Sequence, residues 1–168
     1  TVEEKRIRRF AQPIWSFTMS KQEQAEQIIN SYMLWSAGGG MLPIPLADIA
    51  AVSALQVDML SKLAKLFGAD ISEDRSKAFI ASVAGTTLIR YAVSAIKIIP
   101  GFGSLTGGLA GAATGAASTF ALGHVAISYF EKDGSLDNVD VDEAREAYKE
   151  GYKEGEERAK EMNEKETA

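Results

Sequence analysis

The side chains able to do chemistry are few and widely spaced. His124 is the sole histidine and cysteine is absent, which excludes disulfides, thiolate metal sites, His-pair metal motifs and cysteine nucleophiles. Carboxylates are then the only plentiful reactive groups. Asp48 and Asp58 flank Gln56 on one helical run, and their spacing sets them about 15 Å apart along the axis, too far for a paired acid and base. His124 lies about one turn from Phe120 and Ser128 with no second ligand beside it, which favours a packed or interfacial histidine over a metal ligand or general base. The run GFGSLTGG at 101–108 lacks both the closing Gly-Lys-Ser/Thr of a phosphate loop and a strand before it. The expectation is a protein that is not an enzyme, with no catalytic residue, cofactor or metal.

What could position these residues is a set of helices. Nothing alternates at period two for long, while Leu55, Met59, Leu60, Leu63 and Leu66 keep a helical spacing, so the fold class is all-α. A first helix is expected from about Lys21 to Ala37. A second starts at Pro45, suited to a first helical turn, and stops at Gly68. A third begins after Ser72, an N-cap followed by Glu73 and Asp74, and runs to about Ile99. A fourth covers Leu105 to Phe130, and a polar fifth runs from Asp142 to about Met162.

Charge divides the chain. Residues 133–168 hold 13 Asp/Glu against 6 Lys/Arg, a net of −7, so residues 1–132 sum to +2 within the whole-chain −5. Three regions are expected: a basic N-terminal arm at 1–24, a helical-hairpin domain at 25–134 and an acidic helical tail at 135–168. The dense basic cluster is Lys5, Arg6, Arg8 and Arg9, too small a footprint for nucleic acid but suited to an anionic membrane surface. No signal-peptide pattern opens the sequence, so the expected location is the cytoplasmic face of the bacterial inner membrane, or the cytoplasm.

No charge falls between Glu26 and Asp48 or between Lys97 and Glu131, windows of 21 and 33 residues. Both pass the roughly 18-residue length of a membrane candidate, and both are broken by Pro and Gly, so each reads as two helices and a turn. Water-soluble hairpins carry polar turns. These turns, GGGMLPIPL and IIPGFGS, carry no charge, and the charges collect at the opposite helix ends. Two hairpins with apolar tips and charged bases imply tips buried in lipid or in another copy of the chain. By length the first hairpin could only dip into a bilayer, while the second could span it. Trp15 and Trp35 are candidate interface residues alongside Lys5, Arg6, Arg8 and Arg9, and Asp48, Asp58, Arg90 and His124 are candidate buried polar groups.

Gly107, Gly111, Gly115 and Gly123 stand on one stripe of the fourth helix, with Thr119 filling the missing rung. Each helical glycine costs about 1 kcal/mol in water, so the stripe needs a compensating close contact, either helix packing or an oligomer seam. In the tail, Ala144, Ala147, Tyr148, Tyr152 and Ala159 make a narrow apolar stripe, weakened by Gly151 and Gly155. Such a helix is expected to form only by docking Tyr148 and Tyr152 on the body or on a neighbouring subunit.

Two stretches carry a family likeness: MLPIPLADIAAVSALQVDMLSKLAKLFG at 41–68 and IIPGFGSLTGGLAGAATGAASTFALGHVAISYFEKDG at 98–134. Their Pro-x-Pro-x-x-Asp helix start, Gln-x-x-Met-Leu run, Pro-Gly-x-Gly turn and Tyr-Phe-Glu ending resemble the bacterial domain of unknown function 697. The likeness covers about residues 25–134. It implies a helical, membrane-associated domain often fused to, or encoded beside, Ras-like or Era-like GTPases, and it brings no catalytic residues. The leading expectation is a membrane-associated helical module that self-associates and acts with a partner protein such as a GTPase. The alternatives are a soluble oligomeric scaffold or shell, and a membrane pore using Asp58, Arg90 and His124.

Overall fold

The capping chemistry of the sequence fixes where each helix begins and ends. The computed structural model describes residues 19–39, 45–85 and 105–167, and over these it is all-α, with helices α1 (Lys21–Gly39), α2 (Pro45–Phe67), α3 (Glu73–Val83), α4 (Leu105–Asp133) and α5 (Val141–Thr167) and no strand. A capping box opens α1: the Glu23 N–H donates to Ser20 Oγ at 3.1 Å, and the Ser20 N–H donates to Glu23 Oε2 at 2.7 Å. Gly68, at φ +81°, ends α2 with the Ala69 N–H reaching back to the Ala64 carbonyl at 2.8 Å, a close that a side chain at that φ would resist. Ser72 caps α3 through the Arg75 N–H. Asp140 caps α5 by accepting from the Asp142 and Glu143 N–H groups, both at 3.1 Å.

Expected and observed bounds agree to within a turn for α1, α2 and α4, while α5 runs five residues past Met162, to Thr167. α3 ends at Val83 with Ala84 as its C-cap, short of the expected Ile99, and residues 86–99, residues 40–44 of the first Pro/Gly turn and all of the second lie outside the described residues. Facing pairs give the topology. Ile29 and Ser36 of α1 meet Gly123 and Gly115 of α4, so these helices are antiparallel. Val52 and Met59 of α2 meet Gly115 and Gly123, so α2 runs parallel to α4. Gly151 and Gly155 of α5 meet Ala121 and Ala117, which makes α5 antiparallel to α4. The core between these helices is formed by residues such as Ile29, Met33, Met59, Leu63, Phe120 and Leu122, all buried.

The packing corrects one expectation. Among the described residues no helix is long and apolar enough to cross a membrane. At 29 residues, about 43 Å, α4 has the length of a span. From 105 to 119 it is mostly Ala, Gly and Thr, with Leu only at 105 and 109, and those small side chains supply little of the transfer energy that Leu or Ile would. Moreover, among the described residues its main partner is α5, while α3 packs on α2 and α5. As α5 continues past Gly155 it carries exposed Lys160, Glu161, Glu164 and Lys165 along the N-terminal half of α4, so α4 cannot enter hydrocarbon in this packing without those charges.

Candidate functional site

The bundle is built around α4, which offers small residues on two faces. Toward α1 and α2, a Cβ on Gly123 would lie 2.7 Å from Ile29 Cγ1 and 3.4 Å from Met59 Cε, and one on Gly115 would lie 3.2 Å from the Ser36 carbonyl oxygen. Two rungs of the glycine stripe therefore receive side chains and backbone of the same chain. Gly107 and Gly111 sit in α4, but their surroundings are outside the described residues. Toward α5 the fit runs the other way, with the glycines on the tail: a Cβ on Gly155 would meet Ala117 Cα at 2.8 Å and its carbonyl oxygen at 2.9 Å, and one on Gly151 would meet Ala121 Cα at 3.2 Å. Tyr148 and Tyr152 are buried beside this approach. The tail helix is an element of the core along its whole first half. The Gly-x-x-x-Gly-x-x-x-Ala spacing at 151, 155 and 159 was the signal for this contact, and it is masked by the acidic composition around it.

A polar layer crosses the core where these seams meet. Ser36 Oγ lies 2.9 Å from Thr119 Oγ1. Gln56 Nε2 donates to Ser118 Oγ at 3.0 Å and to Thr119 Oγ1 at 3.4 Å, and the Tyr148 hydroxyl donates to Ser118 Oγ at 2.8 Å. All five side chains are buried, and they come from α1, α2, α4 and α5. Sequence reasoning weighed Gln56 only as a neighbour of carboxylates; the layer is assembled by contacts between helices, which no local spacing reveals.

The expected polar groups do not converge. Asp58 is not buried: its side chain is 60% exposed and pairs with Lys62 one turn on, at 3.4 Å, while accepting the Tyr32 hydroxyl. The position adjoins buried Met59 but projects about 100° away from it around α2, at the rim beside α1, where the i,i+4 lysine is within reach. The hydrogen bond from Tyr32 holds the Asp58 carboxyl below its ordinary value, and burial, aided by the same bond, pushes the Tyr32 hydroxyl up. His124 is half-buried, its ring 4.3 Å from that of Phe120, with Nε2 3.3 Å from Glu26 Oε1. Arg158 of α5 approaches the other Glu26 oxygen at 3.7 Å and stacks over Phe120, so Glu26 ties three helices together. An open cleft beside it is lined by Glu23, Glu26, His124 and Glu131 among others, at the charged end of the bundle. Among the described residues no three His, Asp or Glu side chains are placed to hold a metal ion. The side chain of Asp48, and all of Arg90, Trp15, Lys5, Arg6, Arg8 and Arg9, lie outside the described residues.

At the other end, the last turns of α1 present Leu34, 54% exposed, and Trp35, 69% exposed. They stand in the charge-free run that separates Glu26 from Asp48. Across from them, α2 exposes Ala51 and Ala54. Among its described residues this surface offers apolar area with one indole N–H.

Comparison with known proteins places these features in a lineage. The magnetosome membrane protein 22 of Magnetospirillum gryphiswaldense is 36% identical over 130 residues, which cover 74% of this chain and 67% of that protein. No solved structure matches the chain. The family model described as Domain of unknown function (DUF697) matches residues 16–157, a stretch that takes in the helical body and the Gly151–Gly155 seam alike, and the chain belongs to that family.

Proposed function

We propose that the protein is a non-enzymatic, membrane-associated helical module that docks the charge-free end of α1 on a lipid surface through Leu34 and Trp35. The observation that carries this reading is the exposure of two large apolar side chains, side by side, on a helix end with no charge for 21 residues. An exposed tryptophan at the end of a helix suits the bilayer interface, where its ring meets acyl chains and its N–H meets water. The relative named as a magnetosome membrane protein supports the same class of surroundings. The Lys5, Arg6, Arg8 and Arg9 cluster fits an anionic cytoplasmic leaflet. Self-association through the outer rungs Gly107 and Gly111, and a GTPase as partner, are further parts of the proposal; the stripe of small residues and the family likeness motivate them.

Flotation of the untagged chain with phosphatidylcholine vesicles, with and without phosphatidylglycerol, tests it. Trp15→Phe leaves Trp35 as the single indole, whose emission should shift to the blue on binding. Leu34→Ser with Trp35→Ser should weaken binding by about tenfold or more, since burying either side chain is worth about 1.5–3 kcal/mol. A chain that stays at the bottom of the gradient with both vesicle types defeats the reading.

A further inference from the structure

Around α1, Trp35 projects about 60° from Tyr32 and about 180° from Glu26. Tyr32 reaches Asp58 of α2, and Glu26 meets Arg158 of α5, so the exposed indole leans toward α2 and away from the acidic tail helix. On that side the outward stripe of α2 holds Ala51, Ala54, Asp58, Lys62 and Lys65, all exposed, at three- and four-residue steps. Ala51 and Ala54 stand level with Trp35, because Val52 and Ser36 both meet Gly115. Lys62 and Lys65 follow about 14 and 18 Å further along the axis, against the single carboxylate of Asp58.

The tail lies elsewhere. α1 and α2 pack on each other and on α4, whereas α5 packs on α4 and α3, and α5 carries 10 Asp/Glu against 6 Lys/Arg, a net of −4. Its charged turns also reach past α1. Gly155 lies level with Ala117 and Ser36 with Gly115, and from there α5 continues twelve residues and α1 three, which leaves α5 about 10 Å longer at that end. A bundle standing on that end would meet lipid with Lys160, Glu161, Glu164 and Lys165 before Trp35.

We infer that the flank formed by α1 and α2 is the side the chain lays against an anionic lipid surface, with Leu34 and Trp35 at the interface, Lys62 and Lys65 on lipid phosphates and α5 turned to water. The inference rests on the membrane reading above and deepens it with an orientation and a headgroup charge. Charge complementarity argues for it: lysines are drawn to an anionic leaflet, while the net negative α5, packed against another side of α4, is repelled. Lying flat brings Trp35 and both lysines to one depth, since the bundle axis then parallels the surface.

Two lysine pairs and two labels test the flank. Lys62→Gln with Lys65→Gln should weaken binding to phosphatidylcholine vesicles containing phosphatidylglycerol by about five- to tenfold, and leave binding to pure phosphatidylcholine unchanged. Lys160→Gln with Lys165→Gln, the same loss of charge on α5, should change neither. The absence of native cysteine lets Ala54→Cys and Glu157→Cys each carry a polarity-sensitive dye. On the anionic vesicles the first should shift to the blue and be quenched by brominated lipid, and the second should do neither. Equal losses from the two lysine pairs, no loss from either, or a lipid-quenched dye on the Glu157→Cys variant overturns the flank. Wild-type flotation separates the two ideas: a chain that does not float removes the membrane reading and the flank with it, whereas a chain that floats through Leu34 and Trp35 but gives any of those results removes the flank alone.

Discussion

Along one side of α4, Gly115 and Gly123 open spaces that Ile29, Met59 and the Ser36 carbonyl fill; along another, Ala117 and Ala121 are approached by Gly151 and Gly155 of α5. In the first seam the glycine is a hole for a knob, and much of what fills it can rotate. In the second the glycine removes the last atoms between two backbones, and nothing facing it can move without moving a helix. The same residue type at the same four-residue spacing thus serves two kinds of contact. The difference predicts which substitutions can be rescued.

Loss of the whole second seam has the largest expected effect. A chain ending before Val141 gives up the burial of Tyr148 and Tyr152, worth about 3–6 kcal/mol together, and exposes the Ala117 and Ala121 face. Against a typical total of about 5–15 kcal/mol, the truncated chain should lose its cooperative melt and aggregate. A sharp thermal transition within a few degrees of the full chain would show that α5 is an ornament and not part of the core.

Within that seam, Gly155→Ala should cost about 1–3 kcal/mol by overpacking, even after the gain of about 1 kcal/mol in helix propensity, because its Cβ meets Ala117 backbone atoms at under 3.0 Å. Gly151→Ala, at 3.2 Å from Ala121 Cα, should be near neutral. Urea denaturation of the two variants reads the contrast. Equal effects would mean that α5 is free to slide on α4.

Gly123→Ala tests the first seam. Its Cβ collides with Ile29 side-chain atoms at 2.7 and 2.8 Å, so the single variant should lose about 1–3 kcal/mol. Here the obstacle is removable. Ile29→Ala alone should cost about 2–5 kcal/mol by leaving a cavity, yet the double variant should be more stable than the sum of the two costs by about 1 kcal/mol or more, because the new methyl enters that cavity. Strict additivity in a double-mutant cycle would contradict the knob-in-hole description.

Much of this was legible before any coordinates. Ser72, Gly68 and Pro45 announce their helix boundaries because caps act within four residues, and chain-local chemistry is what a sequence displays. The docking of Tyr148 and Tyr152 was legible as a necessity, since so thin a stripe cannot stand alone. Which helix α4 would face was not: a ladder of small residues states that something comes close and is silent about what. For the same reason the Gly151 and Gly155 approach was read as weakness in a polar tail, and Gln56 was weighed beside Asp48 and Asp58 instead of Ser118. Among the described residues no helix is apolar enough to be the span that the length of the second hairpin allowed, because a charge count treats Ala and Gly as equal to Leu.

The smallest effect belongs to the exposed rim between α1 and α2, beside the first seam, where Tyr32 meets Asp58. Asp58 is held below its ordinary value of 3.8 chiefly by the hydrogen bond from Tyr32, with Lys62 helping against partial burial. A carboxyl depressed in the folded state adds stability that is fully present above its unfolded value and is lost as pH falls through the folded one. The expected window is therefore below about pH 4. Because Asp58 is mostly exposed, solvent screening keeps the contribution under about 1 kcal/mol. Asp58→Asn should lower the melting temperature by about a degree or two between pH 5 and 8 and make no difference near pH 3, flattening that part of the acid limb. Gly155→Ala, by contrast, should lower the curve by the same amount at every pH. If Asp58→Asn instead shifted the melt equally at pH 7 and pH 3, the Tyr32 contact would be one of packing and not of charge. If it left the acid limb unchanged, the depressed carboxyl would have to be sought elsewhere in the bundle.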